Sequence, residues 1–177
     1  AGNHGRYIYA DRSVSRVYAK GTFAPKARLV GQPKRITWAV VTLNGARSLL
    51  VNAHAQAGSK HTALRRRWMV EVMGEVARLR KVHGVGRDQV ILAGDWNGHA
   101  EIVAVAADHG YVPATAQSDI AHAAGVASTN GWSARKPGKP IDMILVGVGR
   151  PVSVSGLLID PKASDHNQPR AILNRKA

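Results

Sequence analysis

A chain of 177 residues, 45% of them hydrophobic, is long enough for a substantial core, and we expect one domain over residues 1–177. The absence of cysteine excludes disulfides and thiolate metal sites, and no apolar run has the length of a membrane span or the pattern of a signal peptide. The formal charge of +14 is concentrated in residues 1–87, where 17 Lys and Arg face three acids, and this favours a polyanionic partner such as nucleic acid.

The amino-terminal part of the chain predicts two hairpins separated by a loop. Residues 6–18 are interpreted as a short hairpin around an Ala-Asp-Arg-Ser turn, and residues 20–35 as a basic loop with two prolines. Residues 36–43 and 48–54 flank Asn44-Gly45, and Asn-Gly between two β-rich runs is the strongest short signal for a hairpin. Both of these strands are nearly continuous in apolar residues, so we expect both of their faces to be covered.

From residue 62 to residue 81 the hydrophobic period changes to three and four, which predicts a helix that Gly84 and Gly86 end. Its buried stripe consists of Leu64, Trp68, Val72, Val76 and Leu79. The elements predicted after it are a strand at 89–94, a helix at 101–109, a loop-rich stretch at 113–140, and strands at 141–148, 152–159 and 170–173. This alternation of strands and helices predicts an α/β fold.

Acidic residues stand beside three segments that otherwise predict sheet interior. Asp95 and Asn97 follow an apolar strand, Asp142 opens another, and Asp165 precedes His166. A buried carboxylate without compensation is costly, so an Asp at a strand end usually has a cation, a His or a catalytic duty beside it. We therefore expect these strand ends to converge on one site.

Ordinary structural explanations exist for the same residues. Asp95 and Asn97 are typical of turns after strands, and Asp165-His166 is typical of a surface pair. His54, at the end of its strand, is also typical of a packed or solvent-tipped residue. Asp142 is harder to explain in this way, because its apolar neighbours predict burial around it.

Four segments, taken in order, carry a family resemblance. They are Leu50-Val51-Asn52-Ala53-His54, the helix with Arg66 and Trp68, Ala93-Gly94-Asp95-Trp96-Asn97, and Ile141-Asp142 with Ser164-Asp165-His166. Together they resemble the endonuclease/exonuclease/phosphatase superfamily, typified by pancreatic deoxyribonuclease and the apurinic-site repair endonucleases. The resemblance spans residues 6–173. It implies a deoxyribonuclease-like four-layer sandwich, in which helices flank a two-sheet β-sandwich, and cleavage of phosphoester bonds with a divalent ion.

The resemblance implies a metal site. Asp95 and Asn97 match the pair that holds the metal-bound phosphate and the attacking water, and Asp165 matches a further metal-ligand position. The implied ion is Mg²⁺ or Mn²⁺, and hard oxygen ligands of this kind suit Mg²⁺. Such an ion polarises a phosphoryl oxygen and aligns an in-line attack.

The resemblance also implies an acid/base pair. His166 matches the general base or electrostatic stabiliser, and Asp142 matches the carboxylate that orients it. His54 matches the second His or Tyr of the site, which binds phosphate or assists the leaving oxygen. Hydrolysis near neutral pH needs a proton acceptor in that range, and His is the side chain whose ordinary pKa lies nearest to it.

Two further segments have cationic side chains with more than one interpretation. Arg65-Arg66-Arg67 is either a solvated start of the helix or a phosphate contact. Asn130, Trp132 and Arg135 lie in the loop before Asp142, where superfamily members often place groups that bind substrate. An aromatic ring among cations suits stacking and phosphate contact on nucleic acid, although a plain flexible loop has a similar composition.

The superfamily pattern begins upstream of the hairpin at residues 6–18. Its first strand supplies an Asn and its second strand a Glu that binds metal, and nothing in residues 1–6 replaces these two strand residues. We therefore expect the chain to form the carboxy-terminal two-thirds of the superfamily fold, which is then incomplete at its N-terminal end. An N-terminal segment, a second chain or an assembly would complete it. The alternatives are a short homologue that binds nucleic acid without cutting it, or one that binds metal weakly through Asp95, Asn97 and Asp165.

Three functions follow from these observations. The first is a divalent-metal-dependent nuclease, or the carboxy-terminal part of one. The second is a non-catalytic nucleic-acid-binding or structural protein that retains the fold. The third is a phosphatase or phosphodiesterase acting on lipids or small phosphoesters. The preference for nucleic acid rests mainly on the basic charge, and a soluble basic protein whose surface is only solvated is the alternative explanation of that charge. The sequence does not indicate a cellular compartment.

Overall fold

The computed structural model describes residues 14–27, 35–43, 45–114, 141–150, 152–158 and 168–173. Six strands form one mixed sheet in the order β1-β2-β3-β4-β6-β5. They are β1 (Val14–Phe23), β2 (Ile36–Leu43), β3 (Ala46–His54), β4 (Val90–Asp95), β5 (Tyr111–Pro113) and β6 (Asp142–Gly147). A separate two-stranded sheet pairs β7 (Val152–Leu158) with β8 (Gln168–Leu173), and the helices are α1 (Thr62–His83) and α2 (Ala100–Asp108). The predicted α/β class is confirmed.

The hairpin predicted around Asn44-Gly45 is present. β2 and β3 pair antiparallel from Leu43 opposite Ala46 to Ile36 opposite Ala53, so β3 begins two residues before its predicted start. Gly45 has a φ of 77°, a left-handed conformation that glycine adopts without a steric penalty.

The prediction of a loop over residues 20–35 is wrong for its first four residues. β1 continues to Phe23 and pairs with β2 as far as Phe23 opposite Ile36. A side chain at Gly21 would come within 2.7 Å of the Trp38 ring, so the glycine is needed where that ring crosses β1. The sequence resembles a break there because glycine is otherwise uncommon inside strands. The predicted hairpin over residues 6–18 falls largely outside the described residues.

The main hydrophobic core lies between the large sheet and the two helices. α1 covers the predicted helix, its stripe from Trp68 to Leu79 is buried, and Leu64 is half-buried. Val51, Leu92 and Leu145, from three adjacent strands, pack in the same cluster. α1 connects β3 to β4, which are parallel, and the crossover brings the carboxyl ends of both strands to one edge of the sheet.

A smaller apolar cluster lies apart from this core and consists of Ala114, Val146 and Val152, with Ile144 packed against it. It links β6 to β7 and includes the residue after β5, a short strand that the sequence does not predict. The two-sheet sandwich and the single domain over residues 1–177 stay predictions. Among the described residues, no helix combines the length and the apolar character needed to cross a membrane.

Candidate functional site

Three of the predicted site residues lie in one row across the sheet. His54 is in register with Asp95 on the parallel pair β3–β4, and Asp95 is opposite Asp142 on the antiparallel pair β4–β6. Residues in register on neighbouring strands point to the same face, with Cβ atoms of antiparallel partners about 4.5–5.5 Å apart. The topology therefore gathers one imidazole and two carboxylates at one edge of one face.

Within this row, His54 is the exposed member. Its Nε2 lies 3.6 Å from Oδ2 of Asp95, and the two side chains are 60% and 22% exposed. This separation is too long for a hydrogen bond, so the imidazole is near the carboxylate without being locked to it. A histidine in this position can reach a ligand that approaches from solvent.

The turn after β4 holds Asp95 and Asn97 on either side of a buried anchor. Trp96 has no exposed surface; its backbone N–H donates to the Ile141 carbonyl at 2.8 Å and its Nε1 donates to the Met143 carbonyl at 3.1 Å. Both acceptors belong to β6 or to the residue before it. The indole therefore fixes the turn against the strand that carries the second carboxylate.

The orientation of Asn97 is set by two hydrogen bonds. Its backbone N–H donates to Oδ1 of Asp95 at 2.9 Å, and its Nδ2 donates to the Ala55 carbonyl at 3.0 Å. Its φ of 49° lies in the left-handed region, which Asn tolerates better than most residues. The amide nitrogen donates to the loop that follows β3. The amide oxygen receives no hydrogen bond from the described residues, so it is available as an acceptor.

Gly94 allows β3 and β4 to approach each other beside the site. Its φ is 150°, and a Cβ built on it would overlap the Ala53 carbonyl oxygen. The next backbone contact at this edge runs from the Ala55 N–H to the Asp95 carbonyl, at 2.9 Å. A residue with a side chain at position 94 would separate the strands that carry His54 and Asp95.

A buried cation ties together the loops that flank the site. Arg65 is only 3% exposed, and its Nη1 donates to the carbonyls of Gln56 at 3.0 Å and Gly58 at 2.7 Å. Its Nε donates to Oε1 of Glu101, in the first turn of α2, at 2.7 Å. Arg65 therefore joins the loop that follows β3 to the helix that follows Asn97.

This contact corrects both interpretations of Arg65 from the sequence, since the side chain is neither solvated nor available to a phosphate. Arg66 and Arg67 are exposed, so those interpretations stay open for them. The sequence contained a signal for the burial of Arg65. It lies three residues before Trp68 and four before Met69, which places it on the buried face of the helix.

The donors in the row have the chemistry that Mg²⁺ prefers, although they do not form a complete site by themselves. Among the described ranges no group of three or more His, Asp or Glu side chains is arranged to hold a metal ion. Asp95 and Asn97, two of the three predicted ligands, contribute a carboxylate and an amide oxygen, which are hard donors. The third, Asp165, lies outside the described residues, as do His166, Asn130, Trp132 and Arg135.

No protein-family profile and no curated protein matches the sequence. Solved structures do match. A Bacteroides thetaiotaomicron mannosyl-6-phosphatase superposes with a TM-score of 0.69 at 21% identity, over 90% of this chain and 67% of its own. An endonuclease/exonuclease/phosphatase family protein from the same organism gives 0.63 at 19% identity, over 89% of this chain and 62% of its own. D. rerio TDP2, complexed with single-strand DNA product, gives 0.63 at 14% identity, over 93% and 70%.

The fold is that of the endonuclease/exonuclease/phosphatase proteins. The chain spans 62% to 70% of the length of the three proteins, so their whole-protein activities do not transfer to it directly. The phosphoester-site roles that the sequence resemblance implies for His54, Asp95 and Asp142 stay predictions.

Proposed function

We propose that the chain is a divalent-metal-dependent phosphodiester hydrolase that acts on nucleic acid, or part of such an enzyme. The observation that carries the proposal is the row of His54, Asp95 and Asp142, with Asn97 held beside it by the Asp95 carboxylate and the Ala55 carbonyl. A carboxylate pair beside an imidazole and an amide supplies both oxygen donors and proton-transfer groups at one place.

In the proposed mechanism, Asp95, Asn97 and Asp165 would hold Mg²⁺ or Mn²⁺. When bound, such an ion supplies positive charge that polarises the phosphoryl oxygen. Asn97 and His54 contact the phosphate, and His54, whose imidazole is exposed, assists the leaving oxygen. His166 accepts the proton of the attacking water, and Asp142 orients His166.

Nucleic acid is the proposed substrate for two reasons. The excess of cations is concentrated in residues 1–87, and phosphate contacts by Lys and Arg dominate affinity for nucleic acid. D. rerio TDP2, which shares the fold, is complexed with a single-strand DNA product. We propose Asn130, Trp132 and Arg135 as further substrate contacts.

A phosphomonoesterase is the second candidate, because the mannosyl-6-phosphatase shares the fold at 21% identity. The row of donors is compatible with either phosphoester, and the choice depends on what surrounds the phosphate. Hydrolysis of p-nitrophenyl phosphate without nicking of DNA would favour this candidate.

The test is a plasmid-nicking assay with Mg²⁺, with Mn²⁺ and with EDTA. We expect nicking that EDTA abolishes, and a loss of about 100-fold or more in Asp95→Asn and in His166→Ala, which is typical for the removal of a group used in proton transfer or charge stabilisation. Glu75→Gln is the matched control, because it makes the same carboxylate-to-carboxamide change on a residue of α1 that is paired with Arg78 and is not part of the candidate site. It should nick DNA as the wild type does.

Two results would contradict the enzyme proposal. One is nicking that survives both Asp95→Asn and His166→Ala, which would indicate a contaminating nuclease. The other is metal-independent DNA binding without any nicking of DNA or cleavage of p-nitrophenyl phosphate, which would favour the non-catalytic binding protein.

A further inference from the structure

A second candidate site lies at the opposite end of the sheet from the row of Asp95 and Asp142. It is a cleft of about 420 Å³ between the carboxy-terminal turns of α1 and α2, and Tyr111 on β5 lines it. Tyr111 is opposite Gly147, five residues along β6 from Asp142. At about 3.4 Å per residue the two sites are roughly 17 Å apart along the strand, so the cleft is separate from the candidate active site.

Two arginines at the cleft have donors to spare. Arg80 donates one hydrogen bond, from Nε to the Val85 carbonyl at 3.3 Å. Arg87 donates none from its side chain to the described residues, and neither guanidinium has an ion-pair partner within that part of the chain. Each guanidinium carries five N–H donors, so most of them face the cleft or solvent.

Tyr111 adds a buried polar atom to this end. The residue is 2% exposed, and its hydroxyl has no hydrogen-bond acceptor among the described residues. Burial raises the pKa of the phenol. The charge of Arg80, whose side chain lies within hydrogen-bonding reach of the hydroxyl, and the charge of Arg87 lower that pKa, which places both guanidiniums near the ring. A buried hydroxyl without a partner costs about 1–3 kcal/mol in a folded protein. Such an atom beside two cations indicates a missing acceptor.

The lining combines this positive end with an apolar surface. The apolar part of the lining consists of Met73, Ala77 and Ala107. Asp108 supplies one carboxylate to the same lining as the two guanidiniums. A volume of about 420 Å³ lies in the range of small-molecule pockets, whereas inorganic phosphate would fill only a fraction of it. The cleft therefore has room for an organic group beside an anion.

Compensation of the helix dipole is the ordinary explanation for cations at the end of α2. It accounts for the position of the Arg87 side chain, which lies against Gly110 at the carboxy-terminal end of α2. It leaves the Tyr111 hydroxyl without an acceptor, and an anionic ligand would supply one.

We propose that this cleft binds a phosphate group, with the Arg80 and Arg87 guanidiniums and the Tyr111 hydroxyl donating to its oxygens and the apolar lining accepting the attached organic moiety. A guanidinium suits phosphate better than chloride, because its planar fork of N–H donors matches two phosphate oxygens. The proposal does not depend on hydrolysis at the row of Asp95. Its ligand is either a small phosphoester or a phosphate of a polynucleotide.

The test is a calorimetric titration of the full chain in EDTA, which prevents metal-dependent turnover. The probes are inorganic phosphate, adenosine monophosphate and a short unstructured oligonucleotide. We expect adenosine monophosphate to bind, and Arg87→Gln to weaken it about tenfold or more, because hydrogen bonds to charged groups are the stronger ones. Tyr111→Phe removes only the hydroxyl and should weaken binding about threefold.

Arg78→Gln is the matched control. Arg78 lies on α1, as Arg80 does, but it is paired with Glu75 and does not line the cleft. Its binding should equal that of the wild type. Equal weakening in Arg78→Gln and Arg87→Gln would mean general attraction to a basic protein and would overturn the site. Unchanged binding in Tyr111→Phe and Arg87→Gln, or no binding of any probe at millimolar concentration, would overturn it as well. A response to the variants only with the oligonucleotide would identify the polynucleotide as the source of the phosphate.

Discussion

At the scale of single residues, Gly94 is the position beside the candidate site where an added methyl group would meet the backbone of the neighbouring strand. The added Cβ would overlap the Ala53 carbonyl oxygen at a φ of 150°, which side chains rarely adopt. We expect Gly94→Ala to lower the free energy of unfolding by about 3 kcal/mol or more, because relief requires β3 and β4 to separate. Urea denaturation measures the change.

Gly74 provides the control for this prediction. It lies in the exposed middle of α1, and a Cβ there would meet nothing within 4 Å. Gly74→Ala should stabilise the protein by about 0.5–1 kcal/mol, since alanine loses less backbone entropy in a helix. A similar loss of stability in both variants would contradict the close approach of the two strands.

The buried phenol of Tyr111 leads to a prediction about the stability of the protein at alkaline pH. Burial raises the pKa of its phenol above the ordinary value of 10.0, so the folded protein holds the proton more tightly than the unfolded chain does. Stability from this group is complete below pH 10 and is lost as the pH rises through the folded-state pKa. Tyr111→Phe should therefore lose less stability than the wild type as the pH rises above 10.

The comparison for Tyr111 is the exposed Tyr18, whose ring lies 4.5 Å from the Arg47 guanidinium carbon. Denaturation midpoints measured across this pH range should show the same alkaline decline in Tyr18→Phe as in the wild type. Identical declines in all three proteins would contradict the burial of the Tyr111 hydroxyl.

At the scale of elements, the link made by Arg65 decides how α1 and α2 hold the candidate site. Arg65 and Glu101 are nearly buried, with side chains 4% and 12% exposed. Removal of one partner from such a pair typically costs about 3–5 kcal/mol, because the other charge stays buried without compensation. We expect a loss of this size in Arg65→Ala, together with weaker nicking, because the loop after His54 loses its anchor.

The exposed neighbour Arg66 supplies the control. Arg66→Ala should change the free energy of unfolding by less than about 0.5 kcal/mol. The double variant Arg65→Met with Glu101→Leu should recover much of the stability, since it leaves no unpaired charge. Failure of the double variant to recover any stability would show that the bonds to Gln56 and Gly58, rather than the ion pair, carry the effect.

The elements that were predictable from sequence are those whose local signals agree with their surroundings. The hairpin depended on Asn44-Gly45, and α1 on a stripe with a regular period of three and four. β5 has only three residues, and its Pro113 argues against a strand, so its pairing with β6 arises from tertiary contacts. The end of β1 was not predictable for the same reason. Gly21 is required by the Trp38 ring on β2, which leaves no space for a side chain at that position.

The candidate site was predictable in part, for a related reason. His54, Asp95 and Asp142 end or open apolar strands, and the sheet brings strand ends together whatever the side chains are. The role of Trp96 in fixing the turn was not predictable, because it depends on carbonyls of a strand that lies far along the chain. The sequence therefore indicated that these three residues meet, while the contacts that hold them required the structure. The convergence of Asp165 and His166 on the same site stays a prediction.

At the scale of the whole molecule, positive charge is unevenly distributed, and part of it is already neutralised. Arg65 and Arg78 are paired with glutamates, whereas Arg66 and Arg67 are exposed at the start of α1, in the same helical turn as Arg65. Because Arg65 contacts the loop after β3, this turn lies near the candidate active site. Under the proposed function, exposed cations there would meet the backbone of a bound nucleic acid.

This distribution predicts which cations contribute to DNA binding. The logarithm of the binding constant should fall linearly with the logarithm of the salt concentration, because each neutralised phosphate releases counterions. Arg66→Gln should reduce the magnitude of that slope by about 1, the effect of losing one phosphate contact. Arg78→Gln should leave the slope unchanged, since its guanidinium donates two hydrogen bonds to Glu75. Fluorescence anisotropy with a labelled duplex in EDTA, between 50 and 200 mM salt, measures all three proteins. Equal slopes in the two variants would mean that net charge, rather than a surface beside the candidate site, attracts the DNA.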